Sequence, residues 1–194
     1  IFTSNRMIVT DIAKVFEFIE KPDQIHILKK CNALVVSPLN TRTFFQTKIK
    51  NEIKHKQGGF DAGFMLKLNS LADEVLIDEI YEAAKAGVNV RMIIRGICCA
   101  LTSNKKWPQA IEAISIVDEY LEHARVLYFV NKGKEEMFIS SADWMVRNID
   151  YRVEATTPIY DEDIKSELKE ILRIQLSENE KARLLDNDQV NEYV

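Results

Sequence analysis

The sequence lacks most of the short signatures that announce phosphate or metal chemistry. It has no GxxxxGK[ST] loop and no GxGxxG run, which argues against a P-loop kinase and a Rossmann dehydrogenase. No HxxxH, HExxH or CxxC spacing occurs, so no zinc site is expected. Cysteine is scarce: Cys31, Cys98 and Cys99 are an odd number, and the adjacent pair lies in an apolar run. These read as buried thiols in an intracellular protein, not a redox pair. No apolar run reaches the ~18 residues that would suggest a membrane span. No signal segment is visible at the start. The first residue is Ile1 and the first methionine is Met7, so a fragment of a longer protein is expected. An excess of positive charge is also missing. The net charge is −4, whereas a chain that grips nucleic acid by charge alone is usually basic, so no nucleic-acid partner is expected. Lys48, Lys50, Lys54 and Lys56 share one predicted helix and read as a solvated face.

What is present is enough apolar sequence for a real core. With 194 residues, 46% of them hydrophobic, the chain fits one large domain or one domain with an appendage. Residues 7–20 carry Ile8, Ile12, Val15, Phe16 and Ile19 at helical spacing, and Lys21-Pro22-Asp23 ends the run. Then strands and helices alternate. Residues 33–36 read as a strand and 41–56 as a helix, stopped by Gly58-Gly59. Residues 64–68 are a second strand. Asn69-Ser70 can cap a helix over about 72–86, and 88–95 form a third strand. This alternation predicts an α/β fold with parallel pairing. Residues 97–110 read as a loop and 113–117 as a strand. Residues 125–130 and 135–140 form a hairpin about Asn131-Lys132-Gly133-Lys134. A strand over 151–159 and a helix over 161–177 follow, then a charged tail.

The strongest chemical signal is Tyr120-Leu121-Glu122-His123-Ala124-Arg125, followed by Ser140-Ser141-Ala142-Asp143-Trp144-Met145-Val146-Arg147-Asn148-Ile149-Asp150-Tyr151-Arg152. If the hairpin turns at Lys132-Gly133, Arg125 falls opposite Ser140 and Asp143 comes near His123. Asp143 could then orient the imidazole. Lys67, Asn69, Arg95 and Gly96 lie at strand C-termini, where open α/β sheets bind ligands. Guanidinium forks from Arg95, Arg125, Arg147 and Arg152 would suit phosphate oxygens. The imidazole could serve as nucleophile, general acid/base or hydrogen-bond donor.

These strings resemble the C-terminal part of the long, histidine-phosphorylated polyphosphate kinases. Further matches are Phe64-Met65-Leu66-Lys67-Leu68-Asn69-Ser70-Leu71, Ile94-Arg95-Gly96 and Ala113-Ile114-Ser115-Ile116-Val117-Asp118. The resemblance implies a phospholipase D-like layered sheet with flanking helices. Residues 31–194 would be the second such C-terminal domain, and residues 1–30 the end of the preceding one. It implies a kinase that moves the terminal phosphate of ATP reversibly onto inorganic polyphosphate through a phosphohistidine. Arg95 and His123 would bind ATP phosphates and Arg152 would line the same tunnel; Lys67, Arg125, Asp143 and Arg147 are further candidates. His123 would be a phosphate contact or acid/base. The phosphorylated histidine, the magnesium ligands and the adenine pocket are expected upstream, so the chain alone is expected to be inactive. The partners implied are ATP or ADP, polyphosphate and the rest of the parent chain, with homo-oligomerisation left open. A cytoplasmic protein is expected, membrane association of the parent being left open. The pattern departs from the phospholipase D HxK motif, since His123-Ala124-Arg125 carries arginine. Two alternatives remain: half of a phospholipase D-like phosphodiesterase or nuclease, and a non-catalytic polyanion-binding module.

Overall fold

A computed structural model describes residues 2–194. Its centre is an eight-stranded sheet in the order β1-β7-β6-β5-β2-β3-β4-β8. The strands are β1 Val35–Ser37, β2 Gly63–Leu68, β3 Asn89–Ile94, β4 Glu112–Ile116, β5 Arg125–Phe129, β6 Glu136–Ser140, β7 Glu154–Pro158 and β8 Ala182–Leu184. Four α-helices accompany them: α1 Arg6–Glu20, α2 Thr41–Gln57, α3 Glu74–Lys85 and α4 Glu162–Leu176.

Among the strands of the described residues, β2, β3 and β4 pair in parallel and the other ladders are antiparallel. The parallel pairing expected for the first strand is therefore corrected. β1 does not lie beside β2 but at the far edge, against β7. Its three residues are buried and apolar in pattern, which identifies a strand but carries no information about its neighbour. The strand directions still bring the C-terminal ends of β1, β2, β3, β4 and β6 to one rim. The N-terminal ends of β5 and β7 arrive at the same rim.

The two sheet faces are covered differently. Phe64, Leu66, Leu68, Val90 and Met92 face α2 and α3, in a core with Phe45, Ile49, Leu76, Ile80 and Trp144. The alternate residues Met65, Ile93, Val126, Tyr128 and Met137 form a second core with Leu172 of α4. This period-2 division is what buries β2 on both sides and makes it read as a continuous apolar run.

The hairpin register is as expected, with Arg125 opposite Ser140. Other expectations shift. The cap of α3 is Asp73, whose carboxylate accepts from Leu76 N at 3.1 Å, and not Asn69 or Ser70. The charged tail contains β8, which pairs with β4. Residues 147–151 form a π-type turn ahead of β7. On α1, Ile8 and Phe18 are buried, whereas Ile12, Phe16 and Ile19 are exposed. Buried Asp11 fastens α1 to the entrance of β1 by accepting from the backbone N–H of Asn32, Ala33 and Leu34. Cys98 is half-buried but Cys99 is exposed in the loop after β3, so the buried-thiol reading fails for Cys99.

Candidate phosphate site at the sheet rim

One buried carboxylate organises the rim. Asp143 follows β6 and turns inward, 4% exposed. Its Oδ1 accepts from Asn69 N at 2.8 Å, Ser70 N at 3.0 Å and Arg125 Nε at 3.0 Å. Its Oδ2 accepts from Arg125 Nη2 at 2.9 Å. Burial opposes the charge, but the Arg125 guanidinium and the two backbone N–H groups hold the carboxyl below the usual aspartate range. Asp143 therefore fixes the end of β2 and the first residue of β5 at once.

From this anchor a chain of contacts runs in two directions. Asn69 Oδ1 accepts from Arg95 Nε at 2.9 Å and Nη2 at 2.6 Å. At Gly96 a Cβ would stand 3.0 Å from Asn69 O, so a side chain there would press on the backbone that carries this contact. On the other side Arg125 Nη2 lies 3.0 Å from His123 Nε2. A guanidinium only donates, so Nε2 accepts in this contact and the neutral ring carries its proton on Nδ1. That tautomer leaves an N–H free to donate. It also occupies the nitrogen that would otherwise act as a nucleophile.

The structure thus brings Arg95, Arg125, Asp143 and His123 into one network. It does not set Asp143 against His123: the carboxylate is spent on Arg125 and backbone, and Arg125 is what orients the imidazole. His123 itself is exposed and lies just before β5. Arg147 and Arg152 are exposed on and after the π-type turn, and neither forms an ion pair among the described residues. Lys67 is placed differently. It alternates onto the α4 face and is buried, with Nζ 2.5 Å from Glu122 Oε2 and 2.8 Å from Gln175 Oε1. That pair holds Glu122 below its ordinary pKa, chiefly through the Lys67 hydrogen bond. Lys67 is thus committed to pinning the residue before His123.

Two groups escaped the sequence reading. Arg42 Nη2 reaches Asp73 at 2.7 Å and Asp150 at 2.7 Å, tying α2, the α3 cap and the π-type turn together. Asp150 lies 108 residues away from Arg42 in the chain, so no local spacing reveals the pair. Glu154 accepts from Asn148 Nδ2 at 2.7 Å and from Ser141 Oγ, which docks the start of β7 against the Asp143 segment. Its place two residues after Arg152 was the available signal. Among the described residues no group of three or more His, Cys, Asp or Glu side chains is placed to hold a metal ion. No helix among them is long and apolar enough to cross a membrane.

The α/β sheet, with Arg95, Arg125 and His123 along one rim, places the chain in the phospholipase D-like fold class. In the solved structures that fold recurs in a phospholipase D family member from Salmonella typhimurium, with TM-score 0.56 at 13% identity over 79% of this chain and 97% of that one. At that identity only the fold is shared. The family model "Polyphosphate kinase C-terminal domain 2" matches residues 34–194. The polyphosphate kinase of Vibrio cholerae is 43% identical over all 194 residues, which span 27% of its length. That of Escherichia coli K12 is 40% identical, with 28% of its length covered. The crystal structure of polyphosphate kinase from Porphyromonas gingivalis superposes with TM-score 0.91 at 37% identity, covering 98% of this chain and 29% of that one. The chain belongs to the polyphosphate kinase family.

Proposed function

We propose that the rim is the part of a polyphosphate kinase active site that holds phosphate groups of ATP and of the growing polyphosphate. The parent enzyme would transfer the terminal phosphate of ATP reversibly to polyphosphate through a phosphohistidine. The observation that carries this reading is the continuous Arg95–Asn69–Asp143–Arg125–His123 network. Two guanidiniums and an N–H-bearing imidazole are aimed along one rim by half-buried Asn69 and Arg125, both anchored on buried Asp143. Preorganised donors of this kind stabilise phosphate charge without reorganisation.

Roles follow from placement. Arg95 would grip a phosphate with the N–H groups that Asn69 leaves free. His123 would donate Nδ1–H to a phosphate oxygen, or exchange a proton there. Arg152 and Arg147 would extend the cationic track, and Arg125 and Asp143 would position His123. Lys67 would act through Glu122. A magnesium ion would be held by residues of the parent outside this chain, since Asp143 is engaged with Arg125 and backbone and Glu122 with Lys67. His123 is also the single rim histidine of the three in the sequence; His26 lies on the 25–30 turn and His55 on α2. The phosphorylated histidine would therefore come from elsewhere in the parent, and this chain alone would not transfer phosphate. Residues 1–30 would close the preceding domain in the parent, although Ile8, Phe18, Ile27 and Leu28 pack here with Leu34 and Val36.

The test is Arg95→Ala in the full-length parent. Losing a charge-assisted contact of roughly 1.5–3 kcal/mol should weaken ATP affinity by about ten- to a hundredfold. Unchanged ATP affinity would refute the assignment. Chain growth catalysed by residues 1–194 alone, with ATP and polyphosphate, would refute the division of the site.

A further inference from the structure

The opposite end of the sheet carries a cavity of mixed polar and apolar lining that the rim chemistry does not use. It has a volume of about 510 Å³ and lies at the starts of β2 and β3 and the end of β5. Arg91, Lys132 and Lys169 contribute cations to its wall, and Phe60 and Tyr128 contribute rings. Arg91 stands in one cross-strand row with Met65 and Tyr128, so it projects on the α4 face, toward Lys169.

The charges here are unequally committed. Glu135 is occupied: it accepts from Tyr128 Oη at 2.6 Å and from Lys169 Nζ at 2.5 Å. Asp61 is exposed at the mouth. Neither Arg91 nor Lys132 forms an ion pair among the described residues, and Lys132 Nζ lies over the Phe60 ring, 4.3 Å from its centroid. Arg91 and Lys132 thus face the cavity without a formed ion pair, although Asp61 lines the same wall and Glu112 stands opposite Arg91 on β4.

The presentation of Lys132 is also costly. Asn131 and Lys132 take φ of 44° and 56°, the left-handed region, ahead of Gly133 at 82°. A lysine gains nothing locally from that backbone, where glycine is at ease. The turn is nevertheless held in place: buried Glu52 accepts from Asn131 N at 2.7 Å and from Gly63 N at 3.0 Å. The β5–β6 hairpin turn itself calls for these left-handed residues, and it holds Lys132 at the mouth of the cavity.

We propose that this cavity is a second phosphate-binding site, taking the phosphate groups of an oligophosphate or a nucleotide at the end of the sheet remote from the rim. The inference does not depend on the rim reading. Arg91 supplies a fork of donors and Lys132 a mobile point charge at the mouth. Lys169 closes the side formed by α4.

Calorimetric titration of the full chain with tripolyphosphate and, separately, with ADP tests this. Arg91→Gln and Lys132→Gly should each weaken binding at this site by roughly tenfold or more. Arg95→Ala should leave the site intact, so its failure is separable from failure at the rim. Lys132→Gly is the decisive variant. It relieves the left-handed strain, so the Tm should hold or rise while affinity falls; a lysine with only a structural role would not uncouple the two. Lys134→Ala, a nearby exposed lysine, should leave binding unchanged. Binding by tripolyphosphate but not ADP assigns an inorganic chain, and the reverse assigns a nucleotide; comparable binding assigns the phosphate group whatever carries it. An isotherm unaltered by Lys132→Gly overturns the proposal. So does a loss of equal size in Lys134→Ala, or no binding of either probe outside the rim.

Discussion

Asp143→Asn isolates what the central carboxylate contributes. The change keeps shape and leaves one carbonyl oxygen to accept from Asn69 N and Ser70 N. It also removes the charge opposite Arg125 and sets an NH2 group against Arg125 Nη2, a donor facing a donor. The Arg125 side chain is 12% exposed and that of Asp143 5%, so solvent does little to replace the lost partner. Breaking a buried ion pair from one side costs about 3–5 kcal/mol. For a chain of this size that corresponds to a fall in Tm of roughly 6–20 °C. Thermal unfolding followed by circular dichroism reads it directly. The pH dependence supplies a second check. The Asp143 pKa lies below its ordinary value of 3.8, so its stabilising contribution is complete above that value and is lost as the pH falls through the lower, folded value. The gap between wild type and variant should be constant near neutrality and shrink in acid. A Tm within about 1–2 °C of wild type at neutral pH would refute the reasoning. So would a gap that widens on acidification.

Three further outcomes follow from the same geometry. Arg42→Lys should not rescue Arg42→Ala in unfolding experiments, because one ammonium cannot serve the two carboxylates that the guanidinium fork reaches; each variant should lose about 2 kcal/mol or more. His123→Ala should change Tm by less than about 0.5 kcal/mol equivalent, since the side chain is exposed, while turnover of the full-length parent falls by about 10²–10⁴-fold if the imidazole moves a proton. Near-normal turnover would remove it from the chemistry. Glu122→Gln should keep its hydrogen bonds but lose the charge opposite buried Lys67. Exchange-protection measurements should show faster opening of residues 117–124 than in wild type, and unchanged protection would count against the pin.

Much of the rim was legible because its parts are written as strand ends. The apolar runs that became β2, β3 and β5 each finish or begin on a polar residue, and period-2 counting from the Lys132-Gly133 turn placed Arg125 opposite Ser140. What was not legible depended on neighbours distant in the chain. β1 is three buried residues that fit either edge, and its partner is settled by Ala155 and Thr156, over a hundred residues later. Asp143 was expected to hold His123 because both lie near the same rim. The backbone N–H groups that end β2 and the fork of Arg125 compete better for a buried carboxylate, and that competition is visible only in three dimensions. Lys67 looked like a ligand residue by its position at a strand terminus. Its parity along β2 sends it to α4 instead.

The sheet finishes at both sides in strands of three residues, β1 and β8. Such short margins offer little template for another chain to extend the ladder, so intermolecular strand addition is discouraged by brevity rather than by charge. The interior strands they shield, β7 and β4, are five residues each. Shortening the tail before Ala182 would therefore uncover the β4 margin and favour self-association through strand addition.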